Sequence, residues 1–216
     1  ENVEELNGLI QEILDFRKAE DAGFSHTHIR RVSVSSLLRT QFEWFYPLSE
    51  QHQIQFKIDA PKELYWNTDS VYFKKILANL ISNAFKYTED GGTVRISLHE
   101  EENFLVLKVY NTGKGIEEAD MQNIFDRYRI LGTMDNDDNR QNTARNGLGL
   151  FICHSLVQSL GGKIDIESEV GQYAEFTVTL PFGIVEESSD DTIDEDIPVS
   201  LPSPNTDIQK PQISHT

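Results

Sequence analysis

Two stretches of this chain largely alternate apolar and polar residues, and that alternation restricts the fold more than any other feature. The first, TVRISLHE followed by NFLVLKVYN, covers residues 93–111, and the second, KIDIESEVGQYAEFTVTLPF, covers residues 163–182. A period of two is typical of strands with one buried and one exposed face. Glu101-Glu102 interrupts the first stretch and Gly171 the second, so each predicts two strands joined by a turn. HIRRVSV and IQFKIDA predict two further strands.

Helical periodicity separates these strands. SSLLRTQFEWFYPLSEQ predicts a helix whose N-cap is Ser35 or Ser36, and NGLGLFICHSLVQSL predicts one from Gly147 to about Leu160. A third helix is predicted from Ser70 to Tyr87, ended by the turn Glu89-Asp90-Gly91-Gly92. Its apolar side consists of Phe73, Ile76, Leu77, Leu80, Ile81 and Ala84. Helices mixed with antiparallel strands predict an α+β sandwich in which helices cover one face of a sheet.

The two ends of the chain differ from this central body, which we place at residues 25–183. Residues 1–24 carry apolar residues at intervals of three and four, which favours a bundle helix; packing of this helix on its own domain is the alternative. From residue 186 to the end, eight Asp or Glu stand against one Lys, with many Ser and Pro. Residues 184–216 are therefore predicted to be a disordered acidic linker.

Composition excludes several classes of protein. The net charge of −17 argues against a nucleic-acid-binding protein, because no basic excess is available to neutralise phosphates. The single cysteine, Cys153, permits neither an internal disulfide nor a multi-cysteine zinc site. No apolar run approaches the roughly 20 residues that span a bilayer, so we expect no direct membrane contact. The chain begins without Met inside a helical pattern, and we expect it to be part of a longer protein.

Two asparagines stand out on the helix predicted from Ser70 to Tyr87. Asn79 and Asn83 are four residues apart and therefore share one face, with apolar residues beside them. Asn is unfavourable inside helices and costly when buried without partners, so the pair indicates a surface for a polar ligand. An amide oxygen can coordinate Mg²⁺, and Lys86 could contact a phosphate. The alternative interpretation is a solvated polar stripe.

Two pairs of glycines are further candidates. In VYNTGKGI, Gly113 and Gly115 allow a positive φ or a close backbone approach, and Asn111 could hydrogen-bond a planar ligand, although most such glycine pairs are simply turns. Gly147 and Gly149 precede a predicted helix, whose free N–H groups form an anion site. The mostly polar stretch between the two pairs, residues 124–146, is long enough to be a functional loop, and we expect a lid over a ligand.

Taken in order, these segments resemble the catalytic ATP-binding domain of sensor histidine kinases, within the wider family of gyrase-, heat-shock-chaperone- and mismatch-repair-type ATPases. NLISNAFKYT resembles the family's Asn-box, VYNTGKGI its first glycine box, IFDRY its Phe-box and NGLGLFICHSLVQSLGG its second glycine box. LNGLIQEILDFRKAE resembles the second helix of the dimerisation and phosphotransfer hairpin. The resemblance covers about residues 1–182. It implies a Bergerat-type ATP-binding fold, a mixed sheet covered on one face by helices and preceded by one bundle helix.

The resemblance implies ATP and Mg²⁺ as cofactors and assigns roles to the Asn-box. Asn83 would coordinate Mg²⁺, with Asn79 beside it near the phosphates. Lys86 would contact a phosphate, and Tyr87 would line the nucleotide pocket. Asn79, Asn83 and Lys86 are thus the implied catalytic residues.

The glycine boxes and the lid would complete the pocket. Asn111 would face the adenine amino group, and Gly113 and Gly115 would shape that wall. The implied contacts with the triphosphate are Gly147, Leu148 and Gly149. The lid arginines that could reach the γ-phosphate are Arg127, Arg129, Arg140 and Arg145.

The sequence departs from the family pattern at several positions. Asn111 replaces the usual Asp, so a charge is lost and ATP affinity could fall; Arg145 and Asn146 replace small residues. Hydrolysing members carry Glu where this chain has Asn79, and an amide is no general base, which favours phosphoryl transfer over ATP hydrolysis. None of the six histidines has the neighbours of the family's acceptor histidine. We expect that acceptor upstream of this chain, and each of these six to be structural or solvated.

The resemblance also implies partners and location. We expect a homodimer through the N-terminal helix hairpin, a response-regulator receiver domain that could follow the linker on the same chain, and the cytoplasmic portion of a membrane-anchored sensor. Three alternatives remain: an ATPase or chaperone-like member, an anti-sigma-type serine kinase, and a pseudokinase that only relays a signal.

Overall fold

The computed structural model describes residues 27–121, 123–125 and 146–184, with the backbone alone at residues 146–148. The described strands are β1 (Arg30–Ser33), β2 (Gln55–Asp59), β3 (Tyr65–Thr68), β4 (Thr93–Glu101), β5 (Phe104–Thr112), β6 (Lys163–Glu169) and β7 (Tyr173–Pro181). The described helices are α1 (Val34–Gln51), α2 (Ser70–Tyr87), α3 (Glu118–Met121) and α4 (Asn146–Ser159). The bounds predicted for the helix from Ser70 to Tyr87 are confirmed.

The main sheet has five strands in the order β2-β4-β5-β7-β6. β2 pairs with β4 in parallel, and the other neighbours are antiparallel, so the sheet is mixed. Connections between β4 and β5 and between β6 and β7 are the tight turns predicted from the alternation. The predicted α+β architecture is confirmed.

One face of this sheet forms the core together with α1, α2 and α4. Leu98, Leu107 and Val178 are buried on adjacent strands, and the whole apolar side predicted for α2 is buried against them. Burying each such side chain stabilises the fold by roughly 1.5–3 kcal/mol. The opposite face is polar: Lys108 Nζ lies 3.6 Å from Glu175 Oε1 on the neighbouring strand. The two layers predicted from the sequence are therefore present.

The start of α1 differs from the prediction. Ser33, not Ser35 or Ser36, is the N-cap, and its side chain makes no capping hydrogen bond. The helix starts earlier because the backbone N–H of Val34 donates to Leu64 O at 3.0 Å. The buried Ser35 hydroxyl donates instead to Pro61 O at 3.0 Å. A tertiary contact therefore replaces the local cap.

A second sheet of two strands, β1 and β3, is the larger difference, because the sequence predicted one sheet and no strand at residues 65–68. β3 also holds the last described residues of the chain. Trp66 Nε1 donates to Pro181 O at 3.0 Å, and Asn67 Nδ2 donates to Gly183 O at 3.1 Å. Gly183 N returns a bond to Asn67 O at 3.0 Å.

Several predicted segments lie outside the described residues. These are the whole N-terminal helix predicted at residues 1–24, residues 126–145 of the lid predicted at 124–146, and the acidic linker from residue 185 onwards. Among the helices that the structure describes, none combines the length and the hydropathy needed to cross a membrane.

Candidate functional site

The position of α2 is fixed by Asp69 at its N-terminus. The Asp69 side chain is buried and accepts hydrogen bonds from Val71 N at 2.8 Å, Tyr72 N at 3.1 Å and His28 N at 2.9 Å. A carboxylate in this position satisfies free N–H groups and interacts favourably with the helix dipole. With its start fixed and one side in the core, α2 brings its polar C-terminal half to the edge of the core.

A cavity of about 550 Å³ opens at this C-terminal half, a size typical of small-molecule sites. Five residues predicted from the sequence line it, namely Asn83, Lys86, Tyr87, Asn111 and Gly115. They come from α2 and from the end of β5, segments that are more than twenty residues apart in the chain. The structure therefore joins the Asn-box and the first glycine box in one site.

The other residues that line the cavity were not predicted from the sequence. The apolar wall consists of Ile116, Ile124, Leu150, Val170, Ala174 and Phe176. The polar lining residues are Thr88, Glu89, Lys114, Glu117 and Asp120. Lys114 and Ile116 stand inside VYNTGKGI and could have been found there. Ala174 is the cross-strand partner of Asn111, a relation that only the register of β5 and β7 reveals.

Asn111 is buried at the floor of the cavity, 4% exposed. Its Nδ2 donates to Thr112 O at 3.1 Å, so its Oδ1 points away from that carbonyl. A carboxylate in the same orientation would place an oxygen against the carbonyl, because it has no hydrogen to donate. This local contact therefore favours the amide over the Asp usual in the family.

The first glycine turn is packed tightly on both sides. Gly115 has φ +64°, and a Cβ there would collide with the carbonyl oxygen of Glu169. A Cβ at Gly113 would collide with the carbonyl oxygen of Tyr87. Gly113 itself does not line the cavity. Both glycines are thus required where the turn approaches backbone of α2 and β6.

The second glycine pair lies inside a helix, not before one. α4 begins at Asn146, so Gly147 and Gly149 belong to its first turn. A Cβ at Gly149 would lie 3.1 Å from Asn79 Oδ1. Asn79 is half-buried at this contact and does not line the cavity. Gly149 therefore permits the close approach of α4 to α2, whereas only the backbone of Gly147 and Leu148 is described.

The electrostatic environment of the cavity is mixed. Lys86 Nζ lies 5.7 Å from the centroid of the Tyr87 ring, within cation–π range. Desolvation by burial raises the pKa of the Tyr87 hydroxyl, which stays protonated as a donor at neutral pH. In the core, burial raises the pKa of Cys153 to about 12, so this thiol is inert.

Residues 68–184 match the family model described as "Histidine kinase-, DNA gyrase B-, and HSP90-like ATPase". The chain belongs to this ATPase family. Segments that resemble the motifs of this family line the cavity, and the fold is that of histidine-kinase catalytic domains.

Curated relatives of the chain include a sensor protein and a histidine kinase. Sensor protein EvgS of Escherichia coli (strain K12) is 30% identical over 203 residues, which are 91% of this chain and 16% of that protein. The circadian input-output histidine kinase CikA of Synechococcus elongatus is 34% identical over 181 residues, 82% of this chain and 23% of that protein. The chain thus spans less than a quarter of the length of these relatives.

Solved structures support the same fold. Full-length ShkA in complex with AMPPNP is 26% identical with a TM-score of 0.69, covering 82% of this chain and 36% of that chain. The catalytic domain of histidine kinase ThkA is 24% identical with a TM-score of 0.62, covering 71% of this chain and 95% of that chain.

The Phe-box of this family member is described only in part. Phe125 stacks on His154 of α4 with ring centroids 5.3 Å apart and meets Phe176 of β7 edge-on. Ile124 beside it is buried and lines the cavity. Arg127, Arg129, Arg140 and Arg145 lie outside the described residues.

A divalent cation could be held through Asn83. Among the residues that the structure describes, no three His, Cys, Asp or Glu side chains are grouped as metal ligands. Asn83 offers a neutral amide at the cavity wall. One hard oxygen ligand with the remaining positions filled by phosphates and water is the coordination that Mg²⁺ favours. The donor set therefore fits Mg²⁺ delivered with a nucleotide.

Proposed function

We propose that this chain is the catalytic portion of a sensor histidine kinase that transfers the γ-phosphate of Mg-ATP to a histidine upstream of residue 1 in the parent protein. The observation that carries the proposal is the convergence of Asn83, Lys86, Tyr87, Asn111 and Gly115 on one cavity. Asn83, Lys86 and Tyr87 belong to the Asn-box, and Asn111 and Gly115 belong to the first glycine box. Family membership supports nucleotide as the ligand.

At the phosphate end, Asn83 holds Mg²⁺ and Lys86 contacts a phosphate. Mg²⁺, when bound, neutralises the charge of the phosphates. Asn79 acts through its contact with Gly149, which sets the distance between α2 and the start of α4. Gly147, Leu148 and Gly149 then present the free N–H groups of the first turn to the triphosphate. Arg127 and Arg129 are proposed to contact the phosphates from the lid.

At the base end, Asn111 accepts a hydrogen bond from the adenine amino group through Oδ1. Its Nδ2 is already engaged by Thr112 O, which leaves the oxygen as the group to present. Gly113 and Gly115 let the turn pack close enough to form this wall. Ile116, Val170 and Phe176 supply apolar surface for the base, and Tyr87 supplies a protonated hydroxyl at the rim.

Transfer to a protein is favoured over hydrolysis. Hydrolysing members of the family carry a general base where this chain has Asn79, and an amide cannot accept the proton of an attacking water. Phosphoryl transfer needs mainly positioning and neutralisation of charge, which the groups above can provide.

We further propose a homodimer formed through the N-terminal helix hairpin and a response-regulator receiver domain as phosphate acceptor. A structure of ThkA in complex with the response regulator TrrA, 22% identical with a TM-score of 0.66, supports that partnership. The proposed domain boundaries are a hairpin helix at residues 1–24, the catalytic domain at 25–183 and an acidic linker at 184–216. The parent protein is proposed to be a membrane-anchored sensor with this portion in the cytoplasm.

The test uses an extended chain that includes the upstream helix, incubated with γ-labelled ATP and Mg²⁺. We expect acid-labile, base-stable label on a histidine. Asn83→Ala should abolish labelling, whereas Ser82→Ala, an exposed neighbour on α2, should not. Acid-stable phosphate on a partner protein would instead indicate a serine kinase, and ATP turnover without phosphoprotein would indicate an ATPase.

A pseudokinase remains the second candidate because Asn111 lacks the charge of the usual Asp. If the chain is a pseudokinase, the folded chain should bind no nucleotide at all, a result that would contradict the proposed phosphoryl transfer.

A further inference from the structure

The first glycine turn, residues 112–116, is tied to the hairpin between β6 and β7 by three hydrogen bonds. Gly113 N donates to Gln172 O at 3.0 Å, and Gly171 N donates to Lys114 O at 2.7 Å. The third bond is made by a side chain, since Ile116 N donates to Ser168 Oγ at 2.8 Å. Three bonds within five residues make the hairpin a brace for the turn.

The Ser168 side chain links the glycine turn to the start of β7. Its hydroxyl accepts from Ile116 N and donates to Tyr173 O at 2.6 Å. Ser168 follows Ile164 and Ile166 by alternation along β6, on the side that packs against the core. A hydroxyl where the strand would otherwise place an apolar residue indicates that the hydrogen bonds are needed there.

The bonded segments carry part of the cavity wall. Lys114, Gly115 and Ile116 line it from the turn, and Val170 and Ala174 line it from the hairpin. Because Gly115 already lies against Glu169 O, the turn cannot move closer to β6. The bond from Ile116 to Ser168 prevents the opposite movement. The position of the wall is thereby fixed from both sides.

We propose that Ser168 is a positioning residue for nucleotide binding: it holds the wall formed by residues 114–116 at the distance that the base requires. The inference rests on the proposed function, namely that this cavity takes ATP. Ser168 contacts neither the phosphates nor Asn83 in this account, so its contribution falls on the base end of the nucleotide alone.

The test is a titration of the full chain and of Ser168→Ala with ATP and with AMP, each with and without Mg²⁺. We expect affinity for both nucleotides to fall by about tenfold, because Ile116 N and Tyr173 O lose their partner. The gain in ATP affinity produced by Mg²⁺ should be unchanged. If Ser168 only stabilised the fold, Ser168→Ala would lower the melting temperature and leave the affinity of the folded chain for nucleotides unchanged. Ser168→Thr keeps the hydroxyl and should restore binding.

Ser159→Ala is the matched control. Its hydroxyl also donates to a backbone carbonyl, Ser155 O at 2.8 Å, but it lies at the far end of α4 and does not line the cavity. It should bind nucleotide normally. Should Ser168→Ala not fold, Gly171→Ala, which strains a residue at φ +76° in the same brace, is expected to show the loss.

Unchanged affinity in folded Ser168→Ala, or an equal loss in Ser159→Ala, would overturn the inference. Failure of the unaltered chain to bind any nucleotide would contradict the proposed function instead, and the inference about Ser168 would then lose its basis.

Discussion

The two glycine pairs look alike in the sequence, yet the structure uses them differently. Gly113 and Gly115 lie in a turn, where a Cβ would collide with backbone carbonyls of α2 and β6. Gly149 lies in the first turn of α4, where the part of the chain that the structure describes offers a Cβ only the end of the Asn79 side chain, at 3.1 Å. Backbone cannot yield, whereas a side chain can shift by a few tenths of an ångström. The first pair is therefore needed to build the wall of the site, and Gly149 to set the spacing of two helices beside it.

The largest effect is expected for Gly115→Ala. A positive φ costs about 1 kcal/mol for a residue with a Cβ, and the collision with Glu169 O adds about 2 kcal/mol of strain, so unfolding in urea should require about 3 kcal/mol less. Gly91→Ala is the matched control, since Gly91 has φ +80° but no atom of a described residue within 4 Å of its added Cβ. It should lose only the backbone contribution, about 1 kcal/mol. Equal losses of unfolding free energy in the two variants would show that the collision with Glu169 O does not contribute to the effect of Gly115→Ala.

Gly149→Ala is expected to change stability less than Gly115→Ala does and to act mainly on nucleotide binding. Ala is favoured over Gly in a helix by up to about 1 kcal/mol, which offsets the shift that it imposes on Asn79, so stability should change by less than about 1 kcal/mol. Affinity for ATP should nevertheless fall several-fold, because the added methyl displaces Asn79 beside the phosphate end of the proposed site. Circular dichroism melting and nucleotide titration of the same samples separate the two effects. A strongly destabilised Gly149→Ala variant with normal affinity for ATP would contradict this, because Gly149 would then be needed for stability and not for binding.

The sequence predicted α2 well because its signals are local. Its apolar side repeats with helical period, and the glycine turn after it ends the helix, so Asn83, Lys86 and Tyr87 could be placed without tertiary information. Asn111 and Gly115 were predicted for the same reason, at the end of an alternating strand. Each of these residues lies where its own segment alone would place it.

What the sequence did not predict depends on distant contacts. β3 has only four residues, Tyr65–Thr68, whose apolar and polar side chains do not alternate in the sequence. It is held by bonds such as Trp66 Nε1 to Pro181 O, between residues that are more than a hundred positions apart in the chain. The early start of α1 follows from the bond to Leu64 O. The cavity wall from the turn after β6 and from β7, including Val170 and Ala174, follows from sheet register, which no local pattern reveals.

The most direct test of the central claim is calorimetric titration of the full chain with ATP, with and without Mg²⁺, beside Asn83→Ala. We expect Mg²⁺ to strengthen ATP binding in the unaltered chain, and Asn83→Ala to weaken binding in Mg²⁺ by at least about tenfold while melting at a similar temperature. Binding by Asn83→Ala that equals that of the unaltered chain in Mg²⁺ would contradict the assignment of this cavity as the Mg-ATP site.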